Sequence, residues 1–442
     1  MKVDYLIAEI GSTTTVVSAL DFKNSNILVA QGKHYTTVLD GDVTVGLKSA
    51  INEIESKLGQ KIEWNKMLAT SSAAGGLKIT VHGLVQDMTV KAAREAALGA
   101  GGIIKMVTSG KLRKSDVRRI KKIQPNLIMI AGGTDFGERE TALYNAELIR
   151  EENLGIPVVY CGNIANREEI KEIFEGQEIY IIDNVYPKID ELNVEPARKV
   201  IQIAFENNII KAPGMDKIKE MVNGVIMPTP GAVMQSAKLL YEILGDVVVF
   251  DVGGATTDVH SVTEGASEIQ DILVSPEPKA KRTVEGDLGV YVNSKNVIDL
   301  LDDVDLKGID KEYIVKNIKP IPTTVEEKKC SLILTNKAVN MSLNRHVGYI
   351  KRIYGAGRKF IAYGKDLSQV KYIVGTGGAL TRLEGGKDIL SNIRYSKDDL
   401  TMFPRKEAKI LIDSMYIMAC AGVLSKENKE AAAKLLQKSL SI

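Results

Sequence analysis

Residues 247–258, Val247-Val248-Val249-Phe250-Asp251-Val252-Gly253-Gly254-Ala255-Thr256-Thr257-Asp258, decide the fold. An apolar run of β type ends in a carboxylate, a glycine pair and small hydroxyl side chains, and a second apolar run continues through Val262. A strand that turns back this soon makes a β-hairpin, not a strand-to-helix crossover. The same design opens the chain: Asp4–Ile10 is apolar with Glu9 near its end, Gly11-Ser12-Thr13-Thr14-Thr15 is the turn, and Val16–Leu20 returns. Glycine lets backbone N–H groups approach a phosphate closely. Ser and Thr hydroxyls add donors. A carboxylate repels phosphate, so Glu9 and Asp251 suit Mg²⁺, directly or through its water shell, or the attacking water. Two such turns in equivalent settings imply a duplicated domain that grips one polyphosphate from both sides. The expected cradle is Gly11, Ser12, Thr13 and Thr14 on one side and Gly253, Gly254, Ala255, Thr256 and Thr257 on the other. Glu9 and Asp251 are the expected catalytic groups and, with Asp258, the expected metal carboxylates.

A third stretch, Tyr372-Ile373-Val374-Gly375-Thr376-Gly377-Gly378-Ala379-Leu380, runs from a strand into a glycine turn. Such a backbone passes along a purine or its ribose, which makes Gly375, Thr376, Gly377 and Gly378 candidate nucleotide contacts; the bland alternative is a crowded strand–helix turn. The three motifs, in this order, resemble the phosphate 1, phosphate 2 and adenosine motifs of the actin/Hsp70/hexokinase superfamily. The resemblance implies duplicated actin-like (RNase H-like) α/β ATPase domains holding ATP and Mg²⁺. Glu9 stands where such proteins usually carry Asp, and the chain shows no clear equivalent of the lysine that Hsp70 aims at the γ-phosphate.

Between the motifs the rhythm changes. From Asn126 to about Ile210, three strand–helix units follow one another, each with a glycine or asparagine turn, the pattern of a small parallel α/β module inserted in the chain. The expected division is 1–125 for the first ATPase half, 126–210 for the module and 211–442 for the second half. The module's turn Ala131-Gly132-Gly133-Thr134-Asp135 is not needed by the ATP clamp and is expected to serve a client or its cofactor. Lys111–Lys122, with seven Lys/Arg and one Asp, reads as a solvated helix capped by Ser115 and stopped by Pro125. Residues 299–327 read as polar and peripheral, Ile410–Leu424 as a buried helix, and Lys426–Leu440 as a terminal amphipathic helix.

Composition bounds the function. The 442 residues exceed one ordinary core. With 44% apolar and 26% charged residues the chain has the make-up of a soluble globular protein. A net charge of +2 gives no basic excess for nucleic acid, and no aromatic side chains are interleaved with the one basic cluster. Cys161, Cys330 and Cys420 have no metal-ligand or C-x-x-C spacing, and reduced thiols fit a cytoplasmic setting. The opening MKVDYLIAEIG has no apolar h-region, so no signal peptide is read there, and no stretch is long and apolar enough to span a bilayer. P-loop, Rossmann and G-x-S-x-G strings are absent. His34, His82, His260 and His346 are scattered, although His260 lies close behind Asp258.

The closer resemblance is to the glutamate-mutase accessory protein family, MutL, which is distinct from the mismatch-repair protein of that name. It rests on Ala8–Thr15, Ser71-Ser72-Ala73-Ala74-Gly75-Gly76-Leu77, Ala131–Asp135, Asp251–Asp258, Val284-Glu285-Gly286-Asp287-Leu288-Gly289 and Gly375–Ala379, spread through nearly the whole chain. The resemblance implies a reactivating ATPase for an adenosylcobalamin-dependent mutase, a chaperone that exchanges damaged for intact cobalamin. Glutamate mutase and the ornithine or lysine aminomutases are all open as clients, and so is the oligomeric state. A small-molecule kinase of the same fold is the alternative; it needs a carboxylate base beside a substrate pocket, and the sequence identifies none. An ATP-dependent polymer is a third class, detectable by pelleting.

Overall fold

The computed structural model describes residues 1–23, 27–37, 41–72, 77–209, 215–224, 226–306, 308–353, 360–393 and 400–442. The chain forms two compact units, one of Met1–Ala73, Ala212–Val274 and Lys279–Ile442, the other of Ala74–Lys211 with Ser275–Pro278. Residues 73–76 of the Ser71–Leu77 string lie outside the described residues.

β1 (Lys2–Ile10), β2 (Thr14–Leu20) and β3 (Leu28–Tyr35) form an antiparallel meander. The helix Val43–Leu58, started by Asp42 accepting from the Thr44 N–H, leads to β4 (Glu63–Ser71), parallel to β1. The chain then builds the other unit on β5 (Lys78–Gly83), β6 (Ile103–Ser109), β7 (Leu127–Ile130), β8 (Val158–Tyr160) and β9 (Ile179–Ile181). On its return β10 (Ile226–Pro228) pairs parallel with β4. β11 (Val247–Val252), β12 (Thr257–Val262) and β13 (Ala280–Glu285) repeat the meander. A ribbon of β14 (Tyr349–Arg352) and β15 (Phe360–Tyr363) precedes β16 (Tyr372–Thr376), which lies parallel to β11, and β17 (Lys409–Ile412), parallel to β16.

The two five-stranded sheets of the first unit therefore share one topology, β10-β4-β1-β2-β3 and β13-β12-β11-β16-β17. In each, the first strand is central, two antiparallel strands lie on one side and two parallel strands on the other. This is the duplicated actin-like, RNase H-like ATPase fold expected from the twin turns. The first half closes only with β10, beyond residue 211, so its last strand comes from the segment assigned by sequence to the second half.

Packing follows the strand period of two. Val247 and Val249 face a core with the helices Thr229–Leu244 and Met418–Leu424, while Val248 and Phe250 face the core of the helix Val325–His346. A sheet covered on both faces needs apolar residues at every position, hence the unbroken run. Residues 409–412 are a strand and not the first turns of a helix, so the buried helix is only Met418–Leu424. A Cβ on Gly422 would sit 1.8 Å from the Ala232 carbonyl oxygen, so only glycine lets these two helices touch. The terminal helix Lys429–Leu440 buries Ala431, Ala432, Leu435, Leu436 and Leu440 in the same core, which accounts for its apolar face.

The second unit is a wholly parallel sheet of order β6-β5-β7-β8-β9, with helices Glu140–Glu151, Arg167–Ile173 and Glu195–Ile209 following β7, β8 and β9. It is the inserted parallel α/β module, and it begins at Ala74, not Asn126, because β5 and β6 supply its first two strands. The Lys91 ammonium, 2.6 Å from the Glu277 carboxylate, ties the segment 275–278 into this unit. The basic helix runs Lys114–Ile123 with Arg113 as its N-cap, so Ser115 lies inside its first turn. Among the described residues no helix is long and apolar enough to cross a membrane.

Candidate functional site

The two turns are built alike. The Gly11 N–H donates to the Thr14 carbonyl at 3.0 Å, and the Gly253 N–H donates to the Thr256 carbonyl at 2.9 Å. Each turn has its carbonyls tied back. In the second, Val290, Tyr291 and Val292 N–H groups bond the carbonyls of Gly253 and Gly254, and the Asn293 amide bonds the Ala255 carbonyl at 2.7 Å. A trans peptide points its C=O and the next N–H in opposite directions. The N–H groups of Gly254, Ala255 and Thr256 are thereby aimed away from the brace. In the first turn Thr36 plays the bracing part, its hydroxyl bonding the Gly11 carbonyl at 2.8 Å and its N–H the Thr13 carbonyl at 3.0 Å. The string Val284–Gly289 is the second brace: the Arg345 guanidinium clasps Glu285 and Asp287, and Gly289 packs so close to Ala255 that a Cβ would lie 2.3 Å from its carbonyl.

Both turns open on one cleft. It is lined by Glu9, Gly11, Ser12, Thr13 and Thr14, by Asp251, Gly253, Gly254, Ala255, Thr256 and Asp258, and by Gly378. The Thr13 hydroxyl stands 3.3 Å from where a Cβ on Gly254 would be, so the turns meet across it. That hydroxyl oxygen is buried without a hydrogen-bond partner, the mark of a donor aimed at something the protein itself does not supply.

The carboxylates differ in their surroundings. Burial pushes the Glu9 carboxyl up to about 7, against the opposing effect of the Tyr416 hydroxyl, which donates to Glu9 Oε1 at 3.0 Å. Burial, then the nearby Asp258 and Glu9 charges, hold the Asp251 carboxyl well above its usual range. Asp258, expected as a metal carboxylate, is committed elsewhere: Arg282 Nε and Nη2 reach its Oδ1 at 2.9 and 2.6 Å, and the Thr256 hydroxyl donates to Oδ2 at 3.1 Å. It neutralises a guanidinium that is 2% exposed. Among the described residues no three His, Cys, Asp or Glu are grouped to hold a metal ion. Of the three expected metal carboxylates, Glu9 and Asp251 line the cleft without an ion-pair partner among the described residues, so these two would be the ones open to a Mg²⁺, which usually takes only one or two carboxylates.

Other expected contacts turn out to be structural. The Thr257 hydroxyl is buried and donates to the Leu288 carbonyl at 2.7 Å. Gly375 lies in the core beneath Leu390 and Ile412. The Thr376 hydroxyl bonds Asp413 at 2.9 Å. Gly377, at φ 83°, is pressed against β11 so that a Cβ would stand 2.7 Å from Asp251 Oδ1; it holds that carboxylate's flank and does not line the cleft. Of the third motif only Gly378 and Ala379 reach the cleft, followed by Arg382 and Leu383. A small adjoining cavity, with room for about one water, is walled by Glu9, Asp251, Thr376, Gly377 and Tyr416. Lys319, Pro320, Ile321 and Pro322, placed by sequence at the periphery, line the cleft too, and so does Tyr416. Two prolines around one isoleucine are a signal of local rigidity, but nothing local says what they face. His260 is fully buried with neither ring nitrogen hydrogen-bonded, and it does not line the cleft.

The profile of the MutL protein family matches residues 5–440. The chain belongs to the MutL family. Protein MutL of Clostridium tetanomorphum is 37% identical to this family member over 99% of both chains. Among solved structures, the nucleotide-free acetone carboxylase of ATP-dependent acetone carboxylation aligns with 64% of this chain and 48% of its own, at 15% identity and TM-score 0.34. Component A of (R)-2-hydroxyglutaryl-CoA dehydratase from Acidaminococcus fermentans aligns over 99% of both chains, at 10% identity and TM-score 0.31. The fold of this MutL family member is read from its own strand order, not from likenesses at that level.

Proposed function

We propose that the chain is an ATPase that reactivates an adenosylcobalamin-dependent mutase, glutamate mutase or a related aminomutase, by helping damaged cobalamin leave and intact cofactor enter. The observation that carries the ATPase part is the convergence of two braced turns and two half-buried carboxylates on one cleft. Membership of the MutL family supports the client. The backbone N–H groups of Gly254, Ala255 and Thr256 and the unpartnered Thr13 hydroxyl would hold phosphate oxygens. Glu9 and Asp251 would hold Mg²⁺, which when bound supplies charge neutralisation at the phosphates. The water-sized cavity beside the same two carboxylates suits the attacking water, with a carboxylate in reach to take its proton. The second unit, a doubly wound sheet, would serve the client or its cofactor; such sheets bind ligands at the carboxyl ends of their strands, where Ala131–Asp135 lies. Three buried free thiols suit a cytoplasmic setting.

Shifting a mutase from mostly closed to mostly open takes about 5 kcal/mol of differential affinity, which closure of the cleft on ATP would supply. The test is recovery of mutases inactivated with hydroxocobalamin. Activity should return only with this chain, ATP, Mg²⁺ and adenosylcobalamin together, and not with the Asp251→Ala variant. ATP consumption driven by a metabolite, with no mutase recovered, would replace this reading by the kinase.

A further inference from the structure

The cleft holds a cation that no phosphate-turn motif contains. Arg382 follows the short helix Gly378–Thr381, lines the cleft with both turns, and lies with its guanidinium carbon 4.7 Å from the centroid of the Tyr416 ring. Among the described residues its guanidinium has no ion-pair or hydrogen-bond partner, although two carboxylates, Glu9 and Asp251, line the same cleft. An arginine beside acids normally pairs with them. Here the ring face holds it instead.

Tyr416 is fixed in turn. Its backbone sits at φ 51°, the left-handed region that a non-glycine residue enters only when its surroundings impose it. Asp413 imposes it: the Tyr416 N–H donates to the Asp413 carbonyl at 3.0 Å, and the Asp413 carboxylate accepts from the Ile417 and Met418 N–H groups. The ring is thus aimed so that its hydroxyl meets Glu9 and its face meets Arg382.

We propose that Arg382, held over the face of Tyr416, is the cation this site offers to the terminal phosphate of a nucleoside triphosphate, and that Tyr416 is the positioning residue that sets its distance from Glu9. The inference rests on reading the cleft as the ATP site. Chemically it answers the missing lysine: a guanidinium held on an aromatic face still presents a planar fork to two phosphate oxygens, which an ammonium does not. Lys319 also lines the cleft, but no ring or hydrogen bond holds its ammonium among the described residues.

Titration calorimetry of the full chain with Mg²⁺ and either a non-hydrolysable ATP analogue or ADP tests this. Arg382→Gln should weaken the triphosphate about tenfold or more and the diphosphate much less, since one charge-assisted contact is lost only at the terminal group. Arg382 is exposed, so its replacement opens no core. Tyr416→Leu, which removes the ring, should copy Arg382→Gln. Tyr416→Phe keeps the ring, should keep triphosphate affinity within about threefold, and should instead raise the Mg²⁺ concentration needed for half-saturation. Equal losses for both nucleotides, or a loss with Lys319→Ala and none with Arg382→Gln, overturn the inference alone. A wild-type chain that binds neither nucleotide removes the ATP reading itself, and this inference with it.

Discussion

The two halves of the first unit have the same backbone and different electrostatics. Their registers superpose Glu9 on Asp251, because each lies two residues before the turn glycine and pairs across the hairpin with Val16 and Asp258 respectively. Two residues further, Ser18 pairs with Gln31 and His260 with Arg282. In the second half the partner position carries the buried Asp258–Arg282 ion pair. In the first half that position is apolar, and Gln31 makes neutral bonds to the Ser18 hydroxyl and the Met415 carbonyl, each at 3.0 Å. A duplicated fold has thus kept the geometry of its phosphate turns while the groups behind them diverged. The turn needs only its own backbone and a brace. The charge behind it answers to long-range neighbours.

The sharpest break in the comparison is at the carboxylates. Asp251→Ala should lower ATP hydrolysis by about a thousandfold, the loss expected when a preorganised charged group is removed, with the fold intact by circular dichroism. Glu9→Ala should fall within about tenfold of it if the two halves share one reaction. Steady-state phosphate release measures both, and a normal rate in either variant ends the equivalence of the halves.

Next in size is the pair behind the turns. Arg282→Leu leaves Asp258 buried without its partner and should destabilise the chain by about 3–5 kcal/mol. Gln31→Leu, its counterpart, removes neutral bonds and should cost only about 1 kcal/mol. Urea unfolding of the two variants side by side gives the difference, and equal losses would mean that the ion pair does nothing the amide does not.

The smallest effect is a matter of pH. Burial raises the Glu9 carboxyl from 4.5 to about 7, so between these values the folded chain binds more protons than the unfolded one. The stability this lends is complete below about pH 4.5 and is lost as pH rises toward 7. Glu9→Gln should therefore match wild type in acid and exceed it by about 1–2 kcal/mol above pH 7, a value discounted for solvent reaching Glu9 from the cleft. Thermal melts at pH 4.5 and pH 8 without nucleotide read it. A margin independent of pH would remove the burial argument.

The sequence by itself determined the duplicated hairpins, both carboxylates, the turn residues Gly11–Thr14 and Gly253–Thr256, and the three strand–helix units of the inserted module. These are local: a strand's period, a glycine turn and a returning strand are written within some dozen residues. Only the tertiary structure decided the rest. Whether Asp258 faces a metal or a guanidinium depends on Arg282, which a separate strand carries. β5 and β6 look like part of the first half until hydrogen bonds join β5 to β7 and β6 to β5. Thr257, Gly375 and Thr376 have the composition of ligand contacts, yet their partners are Leu288, Leu390 and Asp413. Tyr416 and Glu9 are 407 residues apart and meet at 3.0 Å. Backbone conformation is governed by neighbours in sequence, whereas the sign and reach of charge in a buried site are governed by neighbours in space, and folding is what selects those.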